Sequence, residues 1–476
     1  MKEKILNKSY VFIMLIFGML LVFLSPPLSV PDENTHFINA YCTSQLNLFP
    51  DKGDSSNGVG KYLPQYIADF TNQYSRYAGG DFDKKYSFRD AYFDSWLPVD
   101  DTNRSMIFWE NNLTTINFGA YIVSGFGMKI CSILSLVCGE NFDTAYNLML
   151  AGRTANLLFY VLICYWAILI TPCLKKTMML LTTMPMSIYL AASLSYDAIL
   201  IPICLLFFAE FMKLYLETDE YRINKVDFCI VLLCTYFMAA IKMAYLPFII
   251  LLLGIKRKKF GKIKNYIISI MAVGGMVIIG LVLPKIGLAI ATKNIEQTVD
   301  NNILIQKDYL LQHITYIPYI IGKTFYKYKS FYLSSFVGKF GQLDTNLPVI
   351  YIVSFALILI LIALVEGFYV GKVNVKIKIL ALLVVIAIIT GMFLAMYVNW
   401  TPLVEEPRGM TVSGIQGRYF IPIFCFAFVF ILNNWRSRIS KKTNVCLGKG
   451  VYNITFFLTC FNPLITNVVI LLRYWK

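Results

Sequence analysis

The chain has 476 residues, of which 57% are hydrophobic and only 15% are charged, and its mean hydropathy is +0.61. This composition excludes an ordinary soluble globular protein and favours a protein that crosses a membrane many times. The net charge of +15 lies mostly in short loops and tails between apolar runs. Cytoplasmic loops of membrane proteins are expected to be basic, so this charge does not indicate binding to nucleic acid.

The cysteines and histidines indicate neither a disulfide framework nor a metal cluster. The eleven cysteines include no CxxC pair, and most of them lie inside apolar segments, where cysteine usually serves as a small packing residue. The chain contains only two histidines, which argues against a histidine-rich metal site.

The chain begins with an apolar run from Tyr10 to Leu24, which three lysines precede. This pattern also occurs in secretory signal peptides, but the following Ser25-Pro26-Pro27 is a poor cleavage site. We therefore expect an uncleaved first membrane helix with its N-terminus in the cytoplasm. The polar residues 26–114 then form a first extracytoplasmic loop, in which we expect short helices on the membrane surface.

The remaining apolar runs predict an all-α polytopic bundle of about 10–12 transmembrane helices, with residues 1–476 forming one integral membrane domain. Two further extracytoplasmic segments are expected at 291–347 and 399–417. The first of these two, 291–347, is both aromatic and basic, which is typical of an interfacial helix over a lipid or phosphate site. The predicted spans are approximately 10–24, 145–171, 177–194, 198–216, 265–290, 348–370, 379–398, 419–433 and 452–472.

Two apolar runs do not fit a single crossing of the membrane. The run 116–138 is long enough to span, but the lysines and arginines of later loops fall inside only if it does not cross, so we expect an interfacial or half-inserted helix. Lys242 and Pro247 interrupt the run 227–254, and the basic loop KRKKFGKIK follows it. A tight hairpin or a broken re-entrant pair with Lys242 near its outer tip returns this loop to the cytoplasm.

The stretch PPLSVPDENTHF, residues 26–37, carries the candidate chemistry. If the chain is helical from Asp32 onward, then Asp32, Glu33 and His36 lie within one turn and can face a common site. The predicted topology brings five further polar residues to the same outer side of the membrane: Arg153, Asp197, Lys242, Asp344 and Arg418. Each also has a structural interpretation, because carboxylates often cap helices and arginines at the ends of spans often extend to the interface.

Six stretches identify a resemblance to a known family. PPLSVPDENTHF, YNLMLAGRTAN, SLSYDAIL, KMAYLP, FGQLDTNLP and GIQGRYFIP occur in the order in which they stand in the domain-of-unknown-function 2142 family, from residue 26 to about 422. That family comprises bacterial membrane proteins with a PDE-x-x-H signature, and it in turn resembles the C-type (GT-C) glycosyltransferases. The match departs from the family at Leu343, where an aromatic residue is more usual.

The resemblance implies a membrane glycosyltransferase that takes a sugar from a polyprenyl-phosphate-linked donor and transfers it to a cell-envelope glycan or lipid acceptor. Asp32 would act as general base, and Glu33 would assist it. Arg418, Lys242 and Arg153 are the candidate cations for the leaving phosphate, and His36, Asp197 and Asp344 are further substrate-binding candidates. No cofactor is implied with certainty, although Asp32 and Glu33 are the candidate ligands should a divalent metal be needed. The site would be extracytoplasmic, in the bacterial plasma membrane.

Two other classes of protein remain open at this point. A transporter or flippase would use intramembrane Lys242 and Arg153 to line a pathway, but the polar residues collect at one face and inverted repeats are not evident. A non-catalytic partner in envelope polysaccharide assembly would have no need for a base. An enzyme requires the Asp32 carboxylate, whereas either alternative tolerates its amide.

Overall fold

The structure, a computed structural model, describes residues 2–53, 59–74, 83, 85–91, 105–110, 117–139, 143–291, 300–367, 373–433 and 441–475. The α-helices in these ranges are α1 (Lys2–Leu24), α2 (Glu33–Ser44), α3 (Gln65–Tyr74), α4 (Ile122–Cys138), α5 (Ala145–Ile170), α6 (Lys175–Thr183), α7 (Pro185–Ala191), α8 (Asp197–Leu216), α9 (Lys225–Ile241), α10 (Ile263–Ala291), α11 (Asn301–Gln312), α12 (Ile317–Val337), α13 (Val349–Gly367), α14 (Val375–Asn399), α15 (Thr401–Val404), α16 (Phe424–Ala427) and α17 (Lys441–Tyr474). Shorter 3₁₀ segments are Phe118–Tyr121, Met243–Gly254, Arg257–Phe260, Ile314–Tyr316, Gly417–Phe420 and Phe428–Ile431.

Within the described ranges, eight helices are long and apolar enough to cross a membrane. They are Ile5–Leu24, Phe118–Cys138, Ala145–Ile170, Asp197–Leu216, Ile263–Ile290, Val349–Gly367, Val375–Asn399 and Cys446–Tyr474. The prediction of a polytopic all-α membrane protein is confirmed. The α8 helix is the most enclosed of the eight, with 83% of its apolar window buried inside the protein, so it forms the centre of the bundle.

The first predicted outer loop contains a small sheet besides its helices. Strands β1 (Asp51–Lys52), β2 (Val59–Pro64) and β3 (Met106–Glu110) form an antiparallel sheet in the order β1-β2-β3. The Lys61 ammonium is buried beneath it and donates to the Asn47 carbonyl at 2.9 Å and to that of Phe49. Backbone pairing and one buried cation therefore hold this loop together internally. The sequence Asn112-Leu113-Thr114 matches a glycosylation triplet, a short pattern that often occurs by chance, and it lies outside the described residues.

Two predicted spans are not continuous helices. The predicted span 177–194 consists of α6 and α7, which are separated at Met184 because Pro185 has no N–H to continue the first helix. Both short helices are largely buried, so neighbouring helices enclose the break. The predicted span 419–433 is a series of short 3₁₀ and α segments.

A second small sheet, β4 (Lys339–Phe340) with β5 (Thr345–Asn346), closes the turn that contains Asp344.

The hairpin predicted at 227–254 is present. The α9 helix and the 3₁₀ segment Met243–Gly254 are legs of about 25 Å and 24 Å, estimated from 1.5 Å and 2.0 Å per residue. Lys242 lies between them, and the second leg returns to the level at which the first began. Lys256 then pairs with Asp219 at 2.7 Å, just before the start of α9.

Helix α4 packs against α2 and the first half of α5. A methyl group on Gly127 would come within 2.5 Å of the Ala151 carbonyl oxygen, so the α4 and α5 backbones can approach this closely only at glycine. Gly125 faces the end of α2 in the same way, 3.1 Å from the Ala40 carbonyl oxygen. By length and composition Phe118–Cys138 qualifies as a span. Its expected position at the interface stays a prediction.

Candidate functional site

The segment between α1 and α2 has a sharply turned backbone. Asp32 immediately precedes α2 and adopts a left-handed conformation with φ of 61°, as does Leu28 with φ of 56°. Such conformations are uncommon for residues other than glycine and need support from the surrounding structure. The side chains of Asp32 and Glu33 contact different arginines, Arg418 and Arg153. The Asp32 side chain is 57% exposed, whereas that of Glu33 is completely buried.

Glu33 points into the bundle and forms a two-pronged pair with Arg153 of α5. The Arg153 Nε donates to Glu33 Oε1 at 2.8 Å, and Nη2 donates to Oε2 at 2.6 Å. The Leu194 backbone N–H also donates to Oε1, at 3.1 Å. Both charged side chains have no solvent exposure, so each depends on the other for compensation.

Arg153 also binds the C-terminal end of α1. Its guanidinium donates to the backbone carbonyls of Val22, Ser25 and Pro26 at distances of 2.7–3.2 Å. The last carbonyls of a helix have no partner within the helix, and a cation at this end also interacts favourably with the helix dipole. The Glu33–Arg153 pair therefore fixes both the exit from α1 and the entry to α2.

Asp32 faces a second buried arginine, Arg418. The Arg418 Nη2 lies 3.6 Å from Asp32 Oδ2, and its Nε lies 3.5 Å from Oδ2 of Asp197 at the start of α8. Arg418 is only 2% exposed in its side chain. Among the described residues, its Nε and Nη1 have no hydrogen-bond partner. This arginine is attracted by two carboxylates without being saturated by either.

Lys242 brings another cation to the same place from the tip of the hairpin. Its Nζ is 3.2 Å from the centroid of the Tyr419 ring and is buried, with no hydrogen-bond partner in the part of the chain that the structure describes. Asp197 and Arg418 are close enough to interact with it electrostatically. A buried ammonium on an aromatic face gains a cation–π interaction but keeps unused donors. Asp32, Asp197, Lys242 and Arg418 thus form one cluster, which we call the cation cluster.

His36 lies beside the cation cluster, one turn into α2. Its Nδ1 is 2.9 Å from the Tyr121 hydroxyl, and its ring makes an edge contact with that of Tyr196. Burial, and then the nearby positive charge of Arg418, lower the pKa of His36 to about 3. His36 is therefore neutral at ordinary pH and shapes the wall of the cluster.

Asp344 lies apart from the cation cluster. Its Oδ2 is 3.5 Å from Nη2 of Arg473, near the end of α17. The same turn contacts the 26–37 segment, because Gln342 donates to the Val30 carbonyl at 2.9 Å. The Tyr189 hydroxyl accepts from the Gly341 N–H and lies 3.5 Å from the Ser29 carbonyl. The FGQLDT turn therefore positions the segment that carries Asp32.

The structure changes one premise of the sequence analysis. Asp32, Glu33 and His36 were expected to face one site through helical spacing, but the helix begins at Glu33 and Asp32 lies outside it. The candidates divide into the cation cluster with the adjacent His36, the Glu33–Arg153 pair, and Asp344. The roles assigned to all eight residues stay predictions.

Sequence reasoning missed the aromatic residue Tyr419 and the basic residue Arg473. Tyr419 directly follows Arg418 in GIQGRYFIP, and Arg473 is a lone cation at the end of the last apolar run, so both had a readable signal. Two further tyrosines enclose His36. Tyr196 directly precedes Asp197 in SLSYDAIL and so had a similar signal, whereas Tyr121 had none among the chain's 31 tyrosines.

Asp32 and Glu33 do not fit a shared metal site. Both Glu33 oxygens already accept from Arg153, and Asp32 faces Arg418 on the opposite side. In the described ranges, no group of three or more histidine, cysteine, aspartate or glutamate side chains is arranged to hold a metal ion.

Fold and site together define a polytopic helical membrane protein with charged residues gathered at one end of the bundle. The model of a family described as "Predicted membrane protein (DUF2142)" matches residues 15–427. This range is more than half of the chain, and the protein belongs to that family. No curated protein and no solved structure matches the chain.

Proposed function

We propose that this protein is a glycosyltransferase of the bacterial plasma membrane, which transfers a sugar from a polyprenyl-phosphate-linked donor to an extracytoplasmic envelope glycan or lipid. The observation that carries the proposal is the cation cluster. It combines an exposed carboxylate, Asp32, with two buried cations that retain unused donors. A base beside an anion-binding site is the arrangement that transfer from a lipid phosphate requires.

Asp32 acts as the general base in this mechanism. Its exposed carboxylate accepts the proton of the acceptor hydroxyl as that oxygen attacks the anomeric carbon of the donor sugar. The bond from the anomeric carbon to the phosphate oxygen breaks, and its electron pair passes to the lipid phosphate. Arg418, 3.6 Å from Asp32, keeps the carboxylate oriented before the reaction.

Arg418 and Lys242 stabilise the charge that develops on the leaving phosphate. The Arg418 side chain and the Lys242 Nζ are both buried, so their interaction with an anion is stronger than it would be in water. An approaching phosphate supplies the hydrogen-bond acceptors that Arg418 Nε and Nη1 and Lys242 Nζ lack among the described residues. Asp197 holds Arg418 in place from the other side.

The remaining predicted residues support the site. The Glu33–Arg153 pair is saturated by its own hydrogen bonds, which favours a positioning role over direct assistance to the base. His36 borders the cation cluster as a neutral ring. Helix α12 exposes Tyr319, Lys323 and Tyr326 along one face, which suits a helix at the membrane surface near a lipid-linked donor.

The test is the composition of the envelope glycans, measured by mass spectrometry. A strain lacking this gene is compared with strains that carry the wild type, Asp32→Asn or Asp219→Asn. Asp219 is a matched control, because it is 54% exposed and also paired, but lies at the other end of the bundle. We expect one sugar substituent to disappear in the deletion strain and to return with wild type and Asp219→Asn only.

Protein amount is measured in the same membranes, so that a loss of folding is separated from a loss of chemistry. If Asp32→Asn restores the substituent fully, Asp32 is not the base, and transport or assembly becomes the better account. If no glycan changes in the deletion strain, the proposed reaction is wrong.

A further inference from the structure

A second feature lies far from the cation cluster. An apolar groove of about 310 Å³ opens between three elements: helix α9, the 3₁₀ leg Met243–Gly254 and helix α10. Residues from these elements that line it include Phe228, Val231, Ile249, Leu253 and Ile270.

The groove is at the opposite end of the bundle from Asp32. Helix α8 begins at Asp197, in the cation cluster, and Leu214 near its other end lines the groove. Seventeen helical residues separate the two, a distance of about 26 Å along the axis. A ligand of the groove is therefore distinct from a substrate of the cation cluster.

The groove is open because its two facing walls, the 3₁₀ leg Met243–Gly254 and helix α10, do not fill the space between them. A 3₁₀ helix is more tightly wound than an α-helix, so the returning leg of the hairpin is narrow. On the facing wall Gly274 has no side chain, and a methyl group built there would meet no atom within 4 Å. The space between the two walls is therefore open and lined by hydrocarbon.

A basic loop adjoins this groove. Arg257, Lys258 and Lys262 are exposed in the short connection before helix α10, and Lys264 is exposed in the first turn of α10. Lys259 is buried instead, and its Nζ donates to the Leu214 and Glu217 carbonyls at 2.6 Å and 2.7 Å. This anchor fixes the loop beside the mouth of the groove with its other cations pointing outward.

We propose that the groove and the basic loop together bind one anionic phospholipid. One acyl chain occupies the hydrocarbon groove, and the negatively charged headgroup lies against the exposed lysines and arginine. A lipid satisfies both halves of this surface, because clustered cations beside membrane helices attract anionic headgroups and an apolar groove accepts a chain. The bound chain packs against the leg of the hairpin whose other end is Lys242.

The test uses the full-length protein in mild detergent and native mass spectrometry. Dioleoylphosphatidylglycerol, an anionic lipid, and dioleoylphosphatidylcholine, a zwitterionic lipid, are titrated separately. We expect one phosphatidylglycerol to be retained at least about tenfold more tightly than phosphatidylcholine, since each nearby cation contributes to anion binding.

Gly274→Leu places a side chain in the groove, at a position where an added methyl group meets no atom within 4 Å. It should weaken phosphatidylglycerol binding by about tenfold, which corresponds to two methylene groups no longer buried. Gly275→Leu is the matched control, because an added methyl group there also meets no atom within 4 Å but Gly275 does not line the groove. It should bind lipid as the wild type does.

The double variant Lys262→Gln/Lys264→Gln should lose most of the preference for the anionic lipid, and Lys449→Gln, which changes an exposed lysine of α17, should keep it. Equal phosphatidylglycerol binding by Gly274→Leu and the wild type would overturn the proposal, as would equal binding of the two lipids. Displacement of phosphatidylglycerol by undecaprenyl phosphate in a competition would overturn it too, and would assign the groove to an isoprenoid chain. These results do not depend on glycosyltransferase activity.

Discussion

Arg153 and Arg418 are both buried arginines beside neighbouring acidic residues, yet their surroundings differ. Arg153 donates to both oxygens of Glu33 and to three backbone carbonyls. Arg418 lies at 3.5 Å and 3.6 Å from two carboxylates, and within the described residues its Nε and Nη1 make no hydrogen bond. Glu33 is the acidic partner of Arg153, and its neighbour in the sequence, Asp32, is one of the two acidic partners of Arg418.

The difference separates a structural ion pair from a binding site. A buried charge whose donors are all used has nothing left to offer a ligand, and its value lies in the segments that it joins. A buried charge with unused donors is unfavourable unless a ligand completes it. Substitution of Arg153 should therefore lower the stability of the protein, whereas substitution of Arg418 should lower its activity.

The largest effect on stability is expected from Arg153→Met. Removal of one member of a buried pair leaves Glu33 without compensation and should lower the free energy of unfolding by about 3–5 kcal/mol. The thermal unfolding of the purified protein in detergent measures this loss. Arg222→Met, at an exposed arginine, should leave the unfolding temperature unchanged.

The double variant Glu33→Leu/Arg153→Met removes both charges and should recover part of the stability lost in Arg153→Met. If Arg153→Met instead unfolds like the wild type, the pair does not hold the two helix ends together, and the comparison of the two arginines fails.

Arg418→Met is expected to affect function rather than folding. Loss of one donor to a developing negative charge typically lowers a catalytic rate by about 100–1000-fold, so the envelope substituent should fall close to the level of the deletion strain. The unfolding temperature should stay near that of the wild type, because Asp32 is exposed to solvent and Lys242 remains beside the buried Asp197. A strongly destabilised Arg418→Met protein would show that Arg418 is structural after all.

A smaller effect is expected of His36, which should make the stability of the protein depend on pH. The unfolded state takes up a proton below pH about 6.5, whereas folded His36, with a pKa of about 3, stays neutral through the same range. The unfolded state therefore binds more protons between these values, and stability falls as the pH drops. At pH 5.5 this group should cost about 1.4 kcal/mol of stability relative to pH well above 6.5.

The variant His36→Gln should lose that part of the pH dependence, and His313→Gln serves as control because His313 is only half-buried. Chemical unfolding of the three proteins at pH 7.5 and pH 5.5 provides the comparison. If the stability of His36→Gln falls as much between pH 7.5 and pH 5.5 as that of the wild type, His36 takes up its proton in the folded protein.

The bundle was predictable because hydrophobic length identifies membrane helices directly. The Lys242 hairpin was predictable as well. Basic loops are expected on the cytoplasmic side of the membrane, so the loop after Gly254 is expected on the same side as the start of α9. The small sheet in the first loop was not predicted, because β2 pairs with β3 across a gap of more than forty residues.

Within the site, the sequence identified the charged residues but not their pairing. The prediction that Asp32, Glu33 and His36 share a face depended on helical spacing, which the left-handed conformation of Asp32 breaks. The carbonyls that saturate Arg153 belong to Val22, Ser25 and Pro26, and no side-chain pattern reveals them. The distinction between the two arginines thus required three-dimensional contacts.

The central claim is that Arg418 and Lys242 form an anion site completed by a lipid phosphate. The most direct measurement is the thermal stability of purified wild type and Arg418→Met with increasing undecaprenyl phosphate, because a ligand that binds only the folded state raises stability by mass action. We predict a concentration-dependent rise in the unfolding temperature of the wild type and little or none for Arg418→Met. An equal rise in both proteins, or no rise in the wild type, would contradict the claim.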